Sequence, residues 1–163
     1  MKRLLSIILF ACMFTVQVFS QSEDFQIKKF QINVDALYSP TVNTTNAEVS
    51  FGYSFMKSAS VKLLVNFYDL GFKSTTVGES VSVALNPFPL TRFYMQPEVG
   101  VGAIHGRFNG DNSGIATKCQ LPVAVTVGYY VNPSFTCGLV AKYDFITNYA
   151  NLFLCGFRFA ACF

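Results

Sequence analysis

The sequence predicts an all-β fold in which eight antiparallel strands form an up-and-down transmembrane β-barrel. Three observations support this prediction. From residue 26 onward, apolar side chains recur at every second position, which is the periodicity of strands. The chain is 52% hydrophobic and 16% aromatic but only 13% charged, whereas a soluble domain carries about 25% charged residues. The connections between strands are alternately short and long, as expected of a membrane-spanning meander.

The N-terminus precedes the barrel and has a different character. Residues 1–20 have the layout of a cleaved secretory signal, with a positive start and a mostly apolar stretch over residues 4–14 before a cleavage site at Gln21. That stretch is shorter than the roughly 20 residues of a spanning helix. An uncleaved anchor is the alternative. We therefore assign residues 21–163 to a single barrel domain.

The barrel domain divides into eight alternating segments. In chain order, we predict strands at Lys28–Tyr38, Ala47–Met56, Ser60–Leu70, Val77–Asn86, Arg92–His105, Lys118–Val131, Phe135–Ile146 and Asn151–Phe163. Spans of about 9–11 residues suit a tilted membrane strand.

The first four strands separate an apolar face from a polar one. In the first, aromatic and aliphatic residues alternate with polar ones that include Asp35. In the second, alternation from Glu48 to Phe55 has no exception. The third opposes valine, leucine and phenylalanine to a face that carries Lys62, and the fourth opposes valine and leucine to serine.

The last four strands follow the same rule. The fifth carries Glu98 on its polar face and is interrupted by Pro97, where we expect a bulge. The sixth opposes valines to glutamine, alanine, threonine and glycine. The seventh places Lys142 and Asp144 on its polar face, and the eighth alternates phenylalanines with a face that includes Arg158.

The composition of the two faces decides which one points outward. A soluble barrel would turn its aromatic face inward and would need many charges outside, but the other face here is mainly serine, glycine, asparagine and alanine. The interior of an eight-stranded barrel is also too narrow for so many rings. Lipid around the apolar face resolves both problems, and closure pairs every strand edge.

The inward face then carries four acidic and three basic residues. They are Asp35, Glu48, Lys62, Glu98, Lys142, Asp144 and Arg158. Because an unpaired buried charge is unfavourable, we predict an ion-pair network, centred on Glu98, Lys142 and Arg158, that plugs the lumen. The alternative is a polar pathway, which would make the protein a small porin-like channel or ligand carrier.

The chain resembles the small outer-membrane β-barrel family that includes the transmembrane domain of OmpA, OmpX-like proteins and porin-family barrel domains. The resemblance covers essentially the whole mature chain, and it rests on the alternation, on Tyr94–Gly102 and on the ending Gly156–Phe163. It implies a non-enzymatic barrel with a structural or surface-interaction role in the Gram-negative cell envelope. It also implies a monomer whose partner is outer-membrane lipid.

The C-terminus adds a second element of this resemblance. Phe163 ends the chain, and Phe159 and Phe157 precede it at alternate positions. This pattern resembles the signal that the barrel-assembly machinery reads during biogenesis, which would then be a transient partner.

We predict no catalytic residue, cofactor or metal site. His105 is the only histidine, and it is the single candidate base for a lipid A-modifying enzyme, with Asp111 and Ser113 in the following loop as conceivable partners. A rim histidine near the lipid headgroups is the interpretation that we favour. Two of the 12 basic residues lie in the signal, so the mature chain with its 9 acidic residues is nearly neutral, which does not favour nucleic-acid binding.

The cysteines do not have the spacing of a zinc site. Alternation places Cys119, Cys137 and Cys155 on the apolar face, where small hydrophobic packing is the simplest role. Whether these three or Cys162 form disulfides stays open, because export permits them. Acylation of Cys12 is an alternative to simple cleavage of the signal.

Overall fold

The computed structural model describes residues 28–56, 58–69, 76–85, 92–106, 115–149 and 151–163. The predicted signal peptide at residues 1–20, including Cys12, lies outside these ranges. Within them we find no helical segment with the length and apolarity that a membrane span requires.

Eight strands form the fold. They are β1 (Phe30–Ser39), β2 (Thr44–Met56), β3 (Ala59–Tyr68), β4 (Thr76–Leu85), β5 (Phe93–Gly106), β6 (Ala116–Asn132), β7 (Phe135–Ile146) and β8 (Leu152–Cys162). Each strand pairs antiparallel with the next, and β8 pairs with β1 to close the barrel. The predicted fold class is confirmed, and every predicted strand overlaps its observed counterpart with ends shifted by a few residues.

The turn between β1 and β2 is shorter than the sequence suggested. Asn43 has a positive φ of 54°, which asparagine tolerates better than most residues. The chain therefore reverses over residues 40–43, and β2 begins at Thr44, which pairs with Ser39.

The two ends of the barrel are named as follows. The end where the connections after β1, β3, β5 and β7 lie is the loop end. The opposite end, which holds Phe163 and the start of β1, is the terminal end.

The strands are strongly staggered around the barrel. A path of paired residues that starts at Phe30 and crosses each strand in turn reaches Phe153 of β8. Phe153 lies two residues before Cys155, the partner of Tyr38. By the same register, Phe153 stands opposite position 40, directly after β1. One circuit of the barrel therefore shifts the pairing by ten residues, from position 30 to position 40. A stagger of this kind requires strands that tilt steeply against the barrel axis.

The side chains alternate between the outer face and the lumen as predicted. Outside, large apolar side chains are exposed, and Leu139 and Phe157 each keep 59% of their surface accessible. Inside, Lys62 and Arg158 are at most 1% accessible. This distribution is the inverse of that in a soluble protein, where charges lie outside and large apolar residues lie inside.

β5 continues through Pro97 without the expected bulge. Pro97 stands opposite Val125 of β6 in regular register, and the described pairing of β5 with β4 begins one residue later in the chain, at Glu98. The proline therefore lies beyond the last described pair with β4, where a missing N–H costs no ladder bond. Register shifts occur instead at the ends of β2 and β6, next to turns at the terminal end.

Candidate functional site

The lumen holds all seven charges that alternation assigned to it. Each of the seven is buried: Asp35, Glu48, Lys62, Glu98, Lys142, Asp144 and Arg158. Ion pairs of 3.6 Å or less connect them into one network.

Arg158 of β8 contacts three carboxylates and lies at the centre of the network. Its Nε and Nη2 donate to the two oxygens of Asp35 at 2.8 and 2.6 Å, an arrangement that fits the planar guanidinium. Nη2 lies 3.4 Å from Glu48 Oε1, and Nη1 lies 3.5 Å from Glu98 Oε2. Nη1 also donates to Thr126 Oγ1 at 3.0 Å. This one side chain therefore joins β1, β2, β5 and β6 across the lumen.

The two lysines extend the network in opposite directions. Towards the terminal end, Lys62 Nζ donates to Glu98 Oε2 at 2.8 Å and to Gln96 Oε1 at 2.7 Å. Towards the loop end, Lys142 Nζ donates to Glu48 Oε2 at 2.6 Å. The structure thus brings the predicted central residue Glu98 to both Lys62 and Arg158.

Glu48 has a role that the sequence did not reveal. The predicted centre consisted of Glu98, Lys142 and Arg158. In the structure, Glu48 connects Lys142 to Arg158 through its two carboxylate oxygens, at 2.6 and 3.4 Å. The carboxylates Glu48 and Asp35 also stand directly opposite each other on β2 and β1, and Arg158, which contacts both, offsets their repulsion.

Two of the cationic side chains stand opposite glycines on neighbouring strands. Arg158 stands opposite Gly138, and Lys62 stands opposite Gly52. A Cβ added at Gly138 would lie 2.6 Å from the carbonyl oxygen of Val127, closer than atoms tolerate. A larger residue at position 138 would therefore disturb the sheet beside the guanidinium.

Asp144 is the fourth carboxylate and has the weakest ionic contact. Its Oδ1 lies 3.6 Å from Lys142 Nζ, beyond hydrogen-bond distance. Its Oδ2 accepts a hydrogen bond from the hydroxyl of Tyr68 at 2.8 Å, and that hydroxyl accepts one from Gln120 Nε2 at 3.1 Å. The tyrosine thus fixes the orientation of the carboxylate.

An apolar cluster fills the lumen at the loop end. Ile104, Ile146 and Leu152 lie at or near the loop ends of β5, β7 and β8 and are fully or almost fully buried. Val42 and Tyr149 of the adjoining turns pack against them. Partial burial raises the pKa of the Tyr149 phenol above its ordinary value. This cluster separates the charged network from the loop end.

Tyrosines occupy the lumen at the terminal end. The rings of Tyr94 and Tyr130 are tilted against each other with their centroids 5.2 Å apart. The Tyr94 ring lies over Gly128, where an added Cβ would meet the ring, and its hydroxyl lies 3.3 Å from Thr136 Oγ1. Side chains therefore fill both ends of the lumen as well as its middle.

His105 lies on the outer face near the loop end, outside the lumen. Its Nδ1 is 2.9 Å from Thr117 Oγ1 of β6, and its Nε2 is 3.4 Å from Glu79 Oε1 of β4. The histidine and glutamate side chains are 39% and 69% accessible. The loop residues considered as partners, Asp111 and Ser113, lie outside the described residues, and the sequence alone did not point to Glu79 or Thr117.

The four cysteines of the described strands carry free thiols and are spread over the barrel. Cys119, Cys137 and Cys155 lie on the outer face, as alternation indicated, and Cys162 is buried in the lumen. In the described part of the chain, histidine, cysteine and acidic side chains do not gather in threes around a point that a metal ion could occupy.

The C-terminal aromatic residues lie at the seam between β1 and β8. Phe163 and Phe30 exchange two backbone hydrogen bonds of 2.9 and 3.0 Å, and their rings stack at 6.3 Å. Phe157 and Phe159 are exposed on the outer face. The role of these phenylalanines as an assembly signal stays a prediction.

Comparison with solved structures identifies the fold. The N-terminal β-barrel domain of Pseudomonas aeruginosa OprF matches with a TM-score of 0.70 and 13% identity, covering 85% of this chain and 100% of that one. Neisserial surface protein A matches with a TM-score of 0.62 and 14% identity, covering 85% of this chain and 99% of that one. The outer membrane enzyme PagL matches with a TM-score of 0.54 and 6% identity, covering 82% and 99%.

These likenesses show that the chain has the fold of small eight-stranded outer-membrane barrels. Neither a protein-family model nor a curated protein sequence matches it.

Proposed function

We propose that this chain is a non-enzymatic outer-membrane β-barrel with a closed lumen and a structural or surface-interaction role in the cell envelope. The exposed apolar outer face, which no soluble surface would carry, supports a lipid environment. The fold shared with OprF and neisserial surface protein A supports the outer membrane as that environment. Export by the signal at residues 1–20, insertion by the barrel-assembly machinery and a monomeric state complete the proposal.

The observation that carries the closed lumen is the network of ion pairs across the middle of the barrel. Arg158 and Lys142 are held by carboxylates from several strands, and an ion that passed would have to displace these pairs. Apolar side chains at the loop end and tyrosines at the terminal end add two further barriers. Eight-stranded barrels usually fill their interior in this way.

We therefore expect the folded protein to give no stable single-channel steps in planar lipid bilayers. A large porin measured in the same bilayers provides the positive control for insertion and recording. A heat-modifiability gel, in which the folded and boiled forms migrate differently, confirms that the inserted sample is folded. Stable steps from the folded form would contradict the closed lumen and favour the alternative of a small channel or ligand carrier.

A second candidate function is a lipid-modifying enzyme built on His105. The contacts of His105 with Thr117 and Glu79 favour it, because an imidazole between a hydroxyl and a carboxylate is the arrangement of nucleophilic acyl transfer. The Thr117 oxygen would attack an acyl ester carbonyl and pass its proton through His105 to the departing alcohol. Water would then hydrolyse the acyl-enzyme. PagL supports this candidate only as an enzyme with the same fold.

We expect cells that make the wild-type protein and cells that make His105→Ala to have identical membrane lipids by mass spectrometry. This expectation follows from the non-enzymatic proposal, since the carboxylate that would orient His105 is 69% accessible and lies 3.4 Å from the ring, which makes the contact weak. Cells with an empty vector set the baseline. Loss of ester-linked acyl chains that depends on the wild-type protein and disappears in His105→Ala would establish the enzyme instead.

A further inference from the structure

Among the described residues, the buried charges of the lumen comprise four carboxylates and three cations. Each of the three cations forms one close ion pair: Lys62 with Glu98 at 2.8 Å, Arg158 with Asp35 at 2.6 Å and Lys142 with Glu48 at 2.6 Å. Asp144 is left with only the 3.6 Å contact to a lysine that already holds Glu48. It is wholly buried, so water outside the barrel does not compensate its charge.

Most of the buried side-chain atoms that lack a hydrogen-bond partner lie in the same half of the lumen as Asp144. Nine buried side-chain nitrogen or oxygen atoms have no hydrogen-bond partner within the described ranges, and eight of them lie towards the loop end from the Arg158–Asp35 pair, Ser60 being the exception. They include Asp144 Oδ1, Gln120 Oε1 and Asn46 Oδ1, and each of these is an acceptor. A cation or a hydrogen-bond donor would satisfy these three acceptors.

We propose that the loop-end half of the lumen binds one monovalent metal cation at Asp144. Carboxylate, amide and hydroxyl oxygens are the ligands that hard cations prefer. A single unbalanced carboxylate offsets one positive charge, which selects sodium or potassium over a divalent ion. Tyr68 supports the site, because its hydroxyl donates to Asp144 Oδ2 and accepts from Gln120 Nε2, so the two side chains that carry the unpartnered Oδ1 and Oε1 meet at one hydroxyl.

Lys118 is a further cation towards the loop end among the described residues, and it has contacts elsewhere. Lys118 Nζ donates to the carbonyl oxygen of Asn148 at 2.9 Å and lies over the Tyr149 ring, 5.2 Å from its centroid. Its ammonium group is thus engaged with the turn between β7 and β8.

Urea unfolding of the folded protein in detergent micelles tests the site, with sodium or potassium chloride exchanged for choline chloride at constant ionic strength. A cation that binds only the folded barrel raises the folding equilibrium constant about tenfold for each tenfold rise in its concentration above the dissociation constant. We expect this dependence in the wild type and its loss in Asp144→Asn. Asp69→Asn is the matched control, because it removes an exposed carboxylate next to Tyr68 and should retain the dependence.

A second variant and a second measurement keep the test decisive if Asp144→Asn does not fold. Tyr68→Phe retains the charge but removes the orienting hydrogen bond, and we expect it to need at least about threefold more sodium for the same stabilisation. Equal stability of the wild type in sodium, potassium and choline overturns the proposal. A neutral carboxylic-acid infrared band at neutral pH that Asp144→Asn removes also overturns it, because a proton would then supply the missing charge.

Discussion

Replacing Arg158 with leucine is expected to lower the free energy of unfolding by about 3–5 kcal/mol, the range for breaking a buried ion pair from one side. The substitution leaves Asp35, Glu48 and Glu98 around a site with no guanidinium. Asp35 and Glu48 stand opposite each other on neighbouring strands, so their repulsion is no longer offset. Urea unfolding in detergent micelles, followed by far-UV circular dichroism because the chain lacks tryptophan, measures the change.

Neutralising Asp35, the closest partner of Arg158, tests whether the loss of stability comes from uncompensated charge. The double variant Arg158→Leu with Asp35→Asn removes both members of the closest pair, and we expect it to be more stable than Arg158→Leu alone. A double-mutant cycle then gives the coupling between the two residues. A loss below about 1 kcal/mol for Arg158→Leu, or strictly additive effects of the two substitutions, would show that the network contributes little to stability.

The second large effect is expected on the outer face. Val123 lies in the middle of β6, between Val99 of β5 and Tyr143 of β7, and its side chain is exposed. If lipid covers this face, Val123→Arg places a charge near the centre of the bilayer and should lower the free energy of unfolding by about 2–4 kcal/mol. Unfolding in lipid vesicles is the measurement.

Val131→Arg is the matched control for Val123→Arg. Val131 is exposed on the same strand but lies next to the terminal end, where a membrane interface would be. The expected loss there is about 0–1 kcal/mol. Equal losses at the two positions, or none at position 123, would contradict a bilayer around the barrel.

The strands and their faces were predictable because the two faces differ so strongly in composition. On β2, aromatic and aliphatic residues alternate with glutamate, serine and glycine, and only one orientation buries the charge. Strand ends were less predictable, since they depend on turn geometry. The early start of β2 follows from the positive φ of Asn43, which alternation does not register.

Membership of the charged network was also predictable, but its pairing was not. Alternation predicts that Glu48 and Lys142 face inward. Their ion pair depends in addition on the tilt of the strands and on the narrow lumen, which alternation does not describe. The sequence did not predict the apolar cluster at the loop end. Ile104 and Leu152 lie near strand ends, where too few alternating residues follow or precede them to show which side chains face the lumen. As the only histidine, His105 is conspicuous in the sequence, but its contacts with Glu79 and Thr117 depend on the register of three strands.

The ion pair across the seam has a consequence for how the barrel finds its register. Asp35 and Arg158 are 123 positions apart in the chain and stand opposite each other on the first and last strands. A slip of two residues along this seam would keep every side chain on its correct face, so alternation cannot prevent it. It would, however, move the guanidinium about 7 Å from its carboxylate.

The pair therefore distinguishes the native closure from its nearest competitors. Because closure joins the most distant parts of the chain, it is expected to be slow and to come last. Until then β1 and β8 are open edges that can pair with another chain. A charge on each of these edges penalises every partner strand that does not supply the opposite charge at the same position.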